Sequence, residues 1–405
     1  MSMSFMPSRG TVSVSLSTTR YLALSSLARA ATAEASAEVP VREAGTLSNL
    51  FVYVSANTIT SNTVITLRKS TVDTSVTVTY TSGQTGIKED TSNSASYANT
   101  DYATLAVVGG GTGTSITLQA WAAEFNPTNT AKCLTILATC GSTAYSTNSA
   151  TNYIPVAGSQ FAPTGTENNV KLKIHSAGTA SNLFVYAPTN ARTTDTTIAS
   201  RINGANGNQT VTYTSGQTGR KEDTSNSDTI ASGDDINAKI VTSTGGSAFT
   251  YEVVSMSVIT TTGEFLMQAH GSGNTVNFGT TTHWGAGGGM TSTGVEAQAQ
   301  TRPRTSFTCQ ELAAYVSSNS LDNNLVITAR DNGVYSALTV TYTTAQTGWK
   351  TDLSNSFVLT AATDTVNYTS VSTAAASGSA TLWGIGMMGY TAVSSLSFSR
   401  GFVCG

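Results

Sequence analysis

Six charged side chains recur at fixed spacing, and they are the residues whose types and pattern could do chemistry. In each of three copies an Arg precedes a repeated Tyr by 12 residues and an Asp follows it by 10. The set comprises Arg68, Asp90, Arg201, Asp223, Arg330 and Asp352. We expect each Arg to reach the Asp of its own copy and to tether the polar turn that follows. The alternative is a cation or glycan site present three times. A calcium site needs several acidic oxygens, whereas the repeated set provides one carboxylate per copy, so we favour the tethering role.

Two further charges repeat beside this set. A Lys stands two residues before each Asp, at Lys88, Lys221 and Lys350. Residues i and i+2 of a strand share a face, so Lys and Asp are expected to point the same way. A second carboxylate recurs in turn-like contexts, at Asp101, Asp234 and Asp364. Turn chemistry explains that position.

The remaining residues that could act as catalysts or ligands do not repeat. The histidines are His175, His270 and His283, and none recurs at the equivalent place in another copy. No nucleophile elbow, metal-ligand pair or phosphate loop accompanies them. The Gly-rich stretches 109–113 and 285–289 are expected to be flexible loop tips. We therefore predict no catalytic residue, no cofactor, no metal site and no enzymatic activity.

Sulfur and indole side chains also have structural interpretations. Trp284 beside His283 could form an exposed sugar-stacking platform, but we favour a loop Trp tucked into an inter-domain contact. The cysteines lack zinc-ligand spacing, and we expect buried or interfacial thiols at Cys133, Cys140, Cys309 and Cys404. A disulfide between the first two requires the chain to turn back, since seven extended residues span roughly 23 Å.

An internal repeat defines the elements that must position these residues. Residues 78–86, 211–219 and 340–348 share one pattern, and their tyrosines Tyr80, Tyr213 and Tyr342 are separated by 133 and 129 residues. A unit of this size exceeds the 20–50 residues of solenoid repeats, so each copy is expected to be a domain with its own core.

Short runs with period-two alternation, separated by Gly and Asn turn signals, predict an all-β protein. About eight strands with long connections favour three tandem two-sheet β-sandwiches of jelly-roll type, with an immunoglobulin-like sandwich as the alternative. The predicted domains are residues 1–126 with an N-terminal arm, 127–259, and 260–405 with a C-terminal strand.

Composition limits the possible partners. Only 11% of residues are charged and the net charge is −3, which provides no basic surface for nucleic acid. No stretch reaches 18 apolar residues, so no membrane span is predicted. Residues 11–16 alternate polar and apolar residues as in a strand, so we expect no export signal at the N-terminus.

The module resembles a β-sandwich found in structural proteins of tailed phages and in environmental viral sequences. The residues that carry this resemblance in the first copy are 48–57, 66–68, 77–79, 84–86 and 89–94. The third copy departs from the pattern at Glu311, Ala313 and Leu353. The resemblance implies a particle component such as a capsid, decoration or fibre protein, and it carries over no catalytic residues.

The sequence thus predicts a structural assembly protein of a virion, associating with copies of itself or with other structural proteins. One alternative is a subunit of an extracellular or cell-surface filament, which the missing export signal disfavours. Another is an array of carbohydrate-binding modules in contact with glycans, which needs the same exposed aromatic in every copy. Trp121 and Trp383 are equivalent, but the middle copy has Val254, as expected for core packing.

The last apolar segment, residues 400–404, resembles a strand that opens a module, yet no module follows. It either closes the third sandwich or adds to an exposed sheet edge of a neighbouring subunit, because such edges accept strands readily.

Overall fold

The computed structural model describes residues 3–15, 18–25, 29–110, 113, 115–159, 163–372 and 377–391. Within these ranges the chain forms 29 strands, and its only helices are three single 3-10 turns. Those turns are Glu34–Ser36, Glu167–Val170 and Glu296–Gln298. The all-β prediction is confirmed.

The strands fall into three successive groups, which we call modules 1, 2 and 3. Module 1 comprises β1 Ser4–Val14, β2 Arg20–Leu22, β3 Val39–Pro40, β4 Gly45–Asn57, β5 Thr63–Lys69, β6 Val72–Tyr80, β7 Gly86–Tyr97, β8 Tyr102–Gly109 and β9 Ile116–Pro127. Module 2 comprises β10 Cys133–Tyr145, β11 Ala150–Ile154, β12 Gly158–Ser159, β13 Leu172–Ile174, β14 Gly178–Ala187, β15 Thr189–Asn190, β16 Thr196–Ile202, β17 Ala205–Tyr213, β18 Gly219–Ile230, β19 Asp234–Thr242 and β20 Phe249–Thr260. Module 3 comprises β21 Glu264–Asn277, β22 Thr281–Gly285, β23 Gly288–Gly289, β24 Phe307–Asn319, β25 Leu325–Asp331, β26 Val334–Tyr342, β27 Gly348–Leu359, β28 Val366–Ser372 and β29 Ser379–Tyr390.

Each module contains two sheets whose principal strands are antiparallel and follow the same order, while the short strands β12 and β23 pair parallel to β10 and β21. The first sheets run β1-β9-β4-β7, β10-β20-β14-β18 and β21-β29-β24-β27. The second sheets run β2-β8-β5-β6, β11-β19-β16-β17 and β22-β28-β25-β26. Counting eight principal strands per module, these orders are 1-8-3-6 and 2-7-4-5, the arrangement of a jelly roll built from two Greek keys. The immunoglobulin-like alternative is therefore wrong.

Local sequence explains the hairpin between the fourth and fifth principal strands. In β6 the side chains of Val76, Val78 and Tyr80 are buried and the residues between them face outward, as period-two alternation requires. The hairpin that joins β16 to β17 turns at Asn203 and Gly204, whose φ angles are 51° and 77°. Two successive positive φ angles define a type I′ turn, which Asn-Gly favours.

The three modules pack against one another in a closed ring. The opening strands β1, β10 and β21 contact each other in all three pairings. Residues of β1, β10 and β21 also line one small central cavity, including Phe5, Ile136 and Leu266. The ring therefore has an approximate threefold arrangement around the three opening strands.

Each module buries a core of its own, as predicted, but each core also extends into a neighbouring module. The core of module 1 is continuous with Ile136 and Phe184 of module 2. The core of module 2 continues into Leu266 of module 3, and the core of module 3 into Phe51 and Ala122 of module 1. The first sheet of each module is thus apolar on both faces, one facing its own second sheet and one facing a neighbouring module.

The ends of the described chain meet where the ring closes. The Met3 amide donates a hydrogen bond of 3.4 Å to Thr391 Oγ1, and the Thr391 amide donates one of 3.0 Å to Gly263 O. Both residues are buried. Modules 3 and 1 are therefore joined by a noncovalent contact, whereas a short covalent linker joins the modules at the other two junctions.

This closure predicts that the chain tolerates circular permutation. A variant that joins residue 391 to residue 3 through a short Gly/Ser linker, with new termini opened between residues 128 and 132, should fold. We expect its melting temperature to lie within about 8 °C of the parent, since all described strands keep their sheet partners and the new termini lie in an exposed connection. Circular dichroism melts test this. A control opened inside β9, whose residues are almost all buried, should not fold. A permutant that fails like the control contradicts the ring.

Candidate functional site

The repeated arginines form one polar cluster in every module, but not with the predicted partner. Arg201 Nε donates a hydrogen bond of 2.8 Å to Glu167 Oε1, and Arg68 Nε makes the same bond of 2.8 Å to Glu34. Arg330 pairs with Glu296 in the same way. The Glu stands 34 residues before the Arg in all three modules and opens the 3-10 turn. The predicted Arg–Asp pairing of Arg68 with Asp90, Arg201 with Asp223 and Arg330 with Asp352 is therefore wrong.

The physical reason is the topology of the sandwich. Arg68 lies on β5 of the second sheet, and the segment between β2 and β4 carries Glu34 across that sheet. Asp90 lies on β7 of the first sheet. In module 2 the Arg–Glu pair is largely buried, with side-chain exposures of 12% for Arg201 and 16% for Glu167. The hydrogen bonds and charge of Glu167 raise the pKa of Arg201.

The repeated aspartates instead accept hydrogen bonds from a bulge in their own strand. Asp90 accepts hydrogen bonds of 3.1 Å from the backbone amides of Ser92 and Asn93. The side-chain amide of Asn93 donates to both carboxylate oxygens, and the backbone amide of Thr77 on β6 donates a bond of 2.8 Å. Asp223 and Asp352 repeat these bonds. The Asp thus caps the polar turn and links the two sheets. Its oxygens are occupied by N–H donors, which is unsuitable for holding a cation.

The environment of these aspartates lowers their pKa values. Burial raises the pKa of Asp90, but the bonds from Thr77, Asn93 and Ser92 lower it more, so the pKa lies below the ordinary value of 3.8. The pKa values of Asp223 and Asp352 are lowered by the same kinds of donor.

The repeated lysines and tyrosines complete the contact between the sheets. The Tyr80 hydroxyl lies 2.8 Å from Val52 O and 3.0 Å from Gly86 O, and burial raises its pKa. The Lys88 ammonium lies 5.6 Å from the Tyr80 ring centre. Lys and Asp therefore both reach β6, as their shared face predicts. Modules 2 and 3 repeat the contacts with Tyr213, Lys221, Tyr342 and Lys350.

A second set of charges joins modules instead of sheets. Arg42 of module 1 binds Glu222 of module 2, with Nη2 2.6 Å from Oε2. Arg304 of module 3 binds Glu89 of module 1. Arg42 and Arg304 stand 11 residues before the equivalent tyrosines Tyr53 of β4 and Tyr315 of β24. Each Glu follows the repeated Tyr of its module, Tyr80 or Tyr213, by 9 residues. Equivalent residues therefore meet at both interfaces, so the interfaces are head-to-tail.

The third interface lacks this pair. The positions of the Arg and the Glu are occupied by His175 and Thr351. Between modules 2 and 3 the Lys173 ammonium instead lies 5.8 Å from the Trp349 ring centre. Burial and the neighbouring charge of Lys173 lower the pKa of His175. Among the described residues, every salt bridge between modules involves module 1.

The interface between modules 1 and 3 also contains a buried carboxylate. Glu124 accepts bonds from the amide and hydroxyl of Thr305 at 2.9 and 3.0 Å and from Asn49 Nδ2 at 2.7 Å. Arg9 is equally buried there, and desolvation lowers its pKa to about 10. Arg9 donates to Gln119 O and Oε1 at 2.8 and 2.7 Å.

Several other predictions need correction at this interface. Residues 285–289 are not a loop tip, because Gly285 and Gly288–Gly289 belong to β22 and β23. A Cβ on Gly285 would lie 2.4 Å from Arg9 Cβ, so its lack of a side chain permits close packing. Trp284 lies in β22, is fully buried and donates to Ser370 Oγ at 2.9 Å. It is therefore neither a sugar platform nor a loop residue.

The other aromatic and sulfur predictions have mixed outcomes. Trp121 is fully buried, which confirms core packing, whereas Trp383 is half-buried and donates to Ser317 Oγ at 2.8 Å. Buried thiols are confirmed at Cys133, Cys140 and Cys309. Cys404, the segment 400–404 and part of the stretch 109–113 lie outside the described residues. The turn role of the second carboxylate is confirmed at Asp101, Asp234 and Asp364.

Sequence reasoning missed the residues that make most of these contacts. Glu34, Glu167 and Glu296 were detectable from their constant spacing of 34 to the Arg. Arg42 and Arg304 were detectable from their equal distance to the repeated Tyr. Glu124 and Arg9 have no such signal, because they do not repeat.

Within the described ranges, no group of three or more His, Cys, Asp or Glu side chains is placed to hold a metal ion. None of the helices in those ranges is long and apolar enough to cross a membrane.

Comparisons with known proteins are limited to solved structures, since no protein-family model and no curated protein matches the sequence. The chain is similar to one from a study of the triple jelly roll fold and turret assembly in an archaeal virus, at 11% identity over 95% of this chain and 90% of that chain, with a TM-score of 0.20. It is also similar to a chain of Sulfolobus Turreted Icosahedral Virus, at 11% identity over 87% and 81%, with a TM-score of 0.20. A third similar chain is Paenibacillus xanthan lyase, at 15% identity over 68% and 30%, with a TM-score of 0.19.

These TM-scores are too low to support an argument. The jelly-roll assignment therefore depends on the strand order, and the resemblance to tailed-phage modules stays a prediction.

The Arg–Glu cluster predicts a measurable contribution to stability. Glu167→Gln should lower the free energy of unfolding by about 2 kcal/mol, because the charge-assisted bonds to the largely buried Arg201 are lost. Urea unfolding followed by fluorescence measures the difference. Asn206→Ala, which removes the exposed partner of the same Arg, is the control and should change the value by less than about 0.5 kcal/mol. Equal effects would contradict the role given to Glu167.

The lowered pKa values of the repeated aspartates predict loss of stability in acid. A carboxylate whose folded pKa lies below its unfolded value stabilises the fold above the unfolded value, and this contribution disappears as pH falls through the folded pKa. We expect the free energy of unfolding to decrease as the pH drops below about 4. Asp223→Asn should weaken that dependence and cost about 2 kcal/mol at pH 7.

Chemical denaturation between pH 2 and pH 7 tests this. Asp195→Asn, a change at an exposed residue of the same module, should leave the pH dependence unchanged. A parent protein equally stable at pH 3 and pH 7 would rule out the role of the aspartates.

Proposed function

We propose that this chain is a non-enzymatic structural protein of a virus particle, in which one polypeptide supplies a complete ring of three jelly rolls. The observation that carries the proposal is the ring itself. Equivalent residues meet head-to-tail at two interfaces, and Met3 and Thr391, the first and last described residues, meet where the ring closes. A covalently linked ring is a ready-made block for a lattice, because its internal contacts need no assembly step.

The use of the polar residues supports this proposal. The repeated Arg, Glu, Asp, Lys and Tyr side chains are bonded to one another or to the backbone of their own module. Arg42, Arg304 and Glu124 are bonded to a neighbouring module. The strongest polar constellations therefore stabilise the fold and the ring, which favours a contact-making function over chemistry.

The proposal includes association with copies of the same chain or with other structural proteins of a capsid, decoration layer or fibre. Location in the virion follows from it, and the relationship to tailed-phage modules is part of the same proposal. A filament subunit would use the same internal ring and would differ only in how rings contact each other. A glycan-binding array would need the same exposed aromatic in every module, and Trp121 of module 1 is buried.

Assembly of the purified protein tests the proposal. We expect sedimentation velocity to show monomers at low concentration and large species as the concentration rises. Negative-stain microscopy of those species should show closed particles or flat lattices of compact blocks. Long unbranched filaments would favour the alternative. A protein that stays monomeric at every concentration and salt condition would overturn the structural assignment.

A further inference from the structure

Module 2 contains a buried polar cluster that the other two modules lack. Asp228 of β18 accepts hydrogen bonds from Ser200 Oγ at 2.6 Å, from Gln209 Nε2 at 2.9 Å and from the Asn208 amide at 2.6 Å. The side chains of Asp228, Ser200 and Gln209 are buried. At the three equivalent positions the sister modules have apolar residues, which are Ala95, Leu67 and Val76 in module 1 and Phe357, Ala329 and Leu338 in module 3. The jelly roll itself therefore does not require this cluster.

The cluster explains a glycine at the irregular start of β17. A Cβ on Gly207 would collide with Ser200 Oγ and would lie 2.6 Å from Asp228 Oδ2, so only glycine fits without a shift of the cluster. The sister modules have Thr74 and Ser336 at this position, and their hydroxyls donate to the neighbouring strand. Module 2 alone therefore needs glycine here, and the residue before it is Asn206.

An asparagine followed by glycine can deamidate without an enzyme. The backbone nitrogen of the glycine attacks Cγ of the asparagine, a C–N bond forms, and the side-chain nitrogen leaves as ammonia with the proton of the glycine amide. Water then opens the resulting succinimide at either carbonyl and gives aspartate or isoaspartate. Glycine favours the attack because it has no Cβ to obstruct the ring closure. The chain contains three such pairs, which begin at Asn203, Asn206 and Asn332.

Two of the three pairs hold the asparagine side chain at both ends. Asn203 Nδ2 donates to Asp234 Oδ1 at 2.7 Å, and Asn203 Oδ1 accepts the backbone amide of Asp235 at 2.9 Å. Asn332 makes the equivalent two bonds. Both bonds must break before Cγ of these residues can reach the next backbone nitrogen.

The side chain of Asn206 has a different environment. It is exposed, and its one hydrogen bond among the described residues comes from Arg201 Nη1, which lies 2.6 Å from Asn206 Oδ1. Attack at Cγ places negative charge on that oxygen, and a guanidinium already bonded to it stabilises the charge. Glu167 fixes the guanidinium through its bond of 2.8 Å from Arg201 Nε. This contact therefore activates the amide for attack.

We propose that Asn206 is a site of spontaneous deamidation in the folded protein, with Arg201 polarising the amide and Gly207 supplying the attacking nitrogen. The aspartate product resembles module 1, where Asp73 occupies the equivalent position and is bonded to Arg68. Each event adds one negative charge to a chain whose net charge is −3. The charge of this exposed site thus changes with the age of the protein, and the inference does not depend on the proposed assembly function.

Peptide mapping by mass spectrometry tests the proposal on the intact, folded chain. During incubation at neutral pH, Asn206 should gain the mass of an amide-to-acid change about tenfold faster than Asn203 and Asn332, because two hydrogen bonds restrain each of the latter. Fragment spectra separate Asn203 from Asn206, which share one tryptic peptide. In concentrated urea the three rates should become similar. Equal rates at the three asparagines of the folded protein would overturn the proposal.

A variant of the arginine tests its part in the reaction. Arg201→Lys keeps a cation for Glu167 but removes the planar fork that bonds Glu167 and Asn206 together. Deamidation of Asn206 should therefore slow severalfold, whereas the rate at Asn332 in module 3 should stay the same and serves as the control within each sample. An unchanged rate at Asn206 would contradict the activation by Arg201.

Substitution by the product tests whether module 2 accommodates it. Asn206→Asp should keep or slightly raise the melting temperature, because Arg201 then gains a carboxylate partner, as Arg68 has in module 1. Asn203→Asp is the matched control and should lower the melting temperature by about 2 °C or more, because its carboxylate would face Asp234. If the two variants lose equal stability, the aspartate does not fit beside Arg201 and the proposal fails.

Discussion

The burial of the first sheet on both faces is the constraint on which the rest of this structure depends. One face covers the second sheet of the same module, and the other covers a neighbouring module, so each core continues across an interface. A sheet covered on both faces needs nearly continuous apolar runs instead of alternation. Strands β9 and β20 have such runs, with at least eight consecutive buried positions each. Each module therefore needs the others to cover its sheet.

The ring is built from one type of head-to-tail interface whose three versions have diverged. Arg42 and Arg304 meet Glu222 and Glu89 at two interfaces, whereas Lys173 and Trp349 meet at the third. A head-to-tail interface closes a ring when its rotation fits, and here the rotation fits three modules. The interface between modules 3 and 1 has no linker in the described chain, and it combines an ion pair with the buried Glu124 cluster. We interpret these polar contacts as the means of fixing the relative orientation of modules that a linker does not hold.

The repeated polar clusters have a different task, which is to fix the two sheets of one sandwich. The Arg–Glu pair binds the crossing segment to the second sheet, and the Asp and Tyr bind β6 to the first sheet. These contacts are the same in all modules because the two sheets must be held together in every sandwich. The surfaces that vary among modules are the contacts between modules and the outward-facing positions, where Leu353 and Val358 of module 3 are exposed.

The sequence by itself determined the all-β class, the three tandem sandwiches and the identity of the repeated residues. Alternation and spacing along the chain report these properties directly, because both depend on local geometry and on duplication. Only the tertiary structure decided which charges meet: Arg68 pairs with Glu34 and not with Asp90. It also decided that the modules close into a ring that buries Trp284 and requires Gly285 to lack a side chain. Such pairings join residues far apart in the chain, and no local pattern records which strands become neighbours or which face is covered.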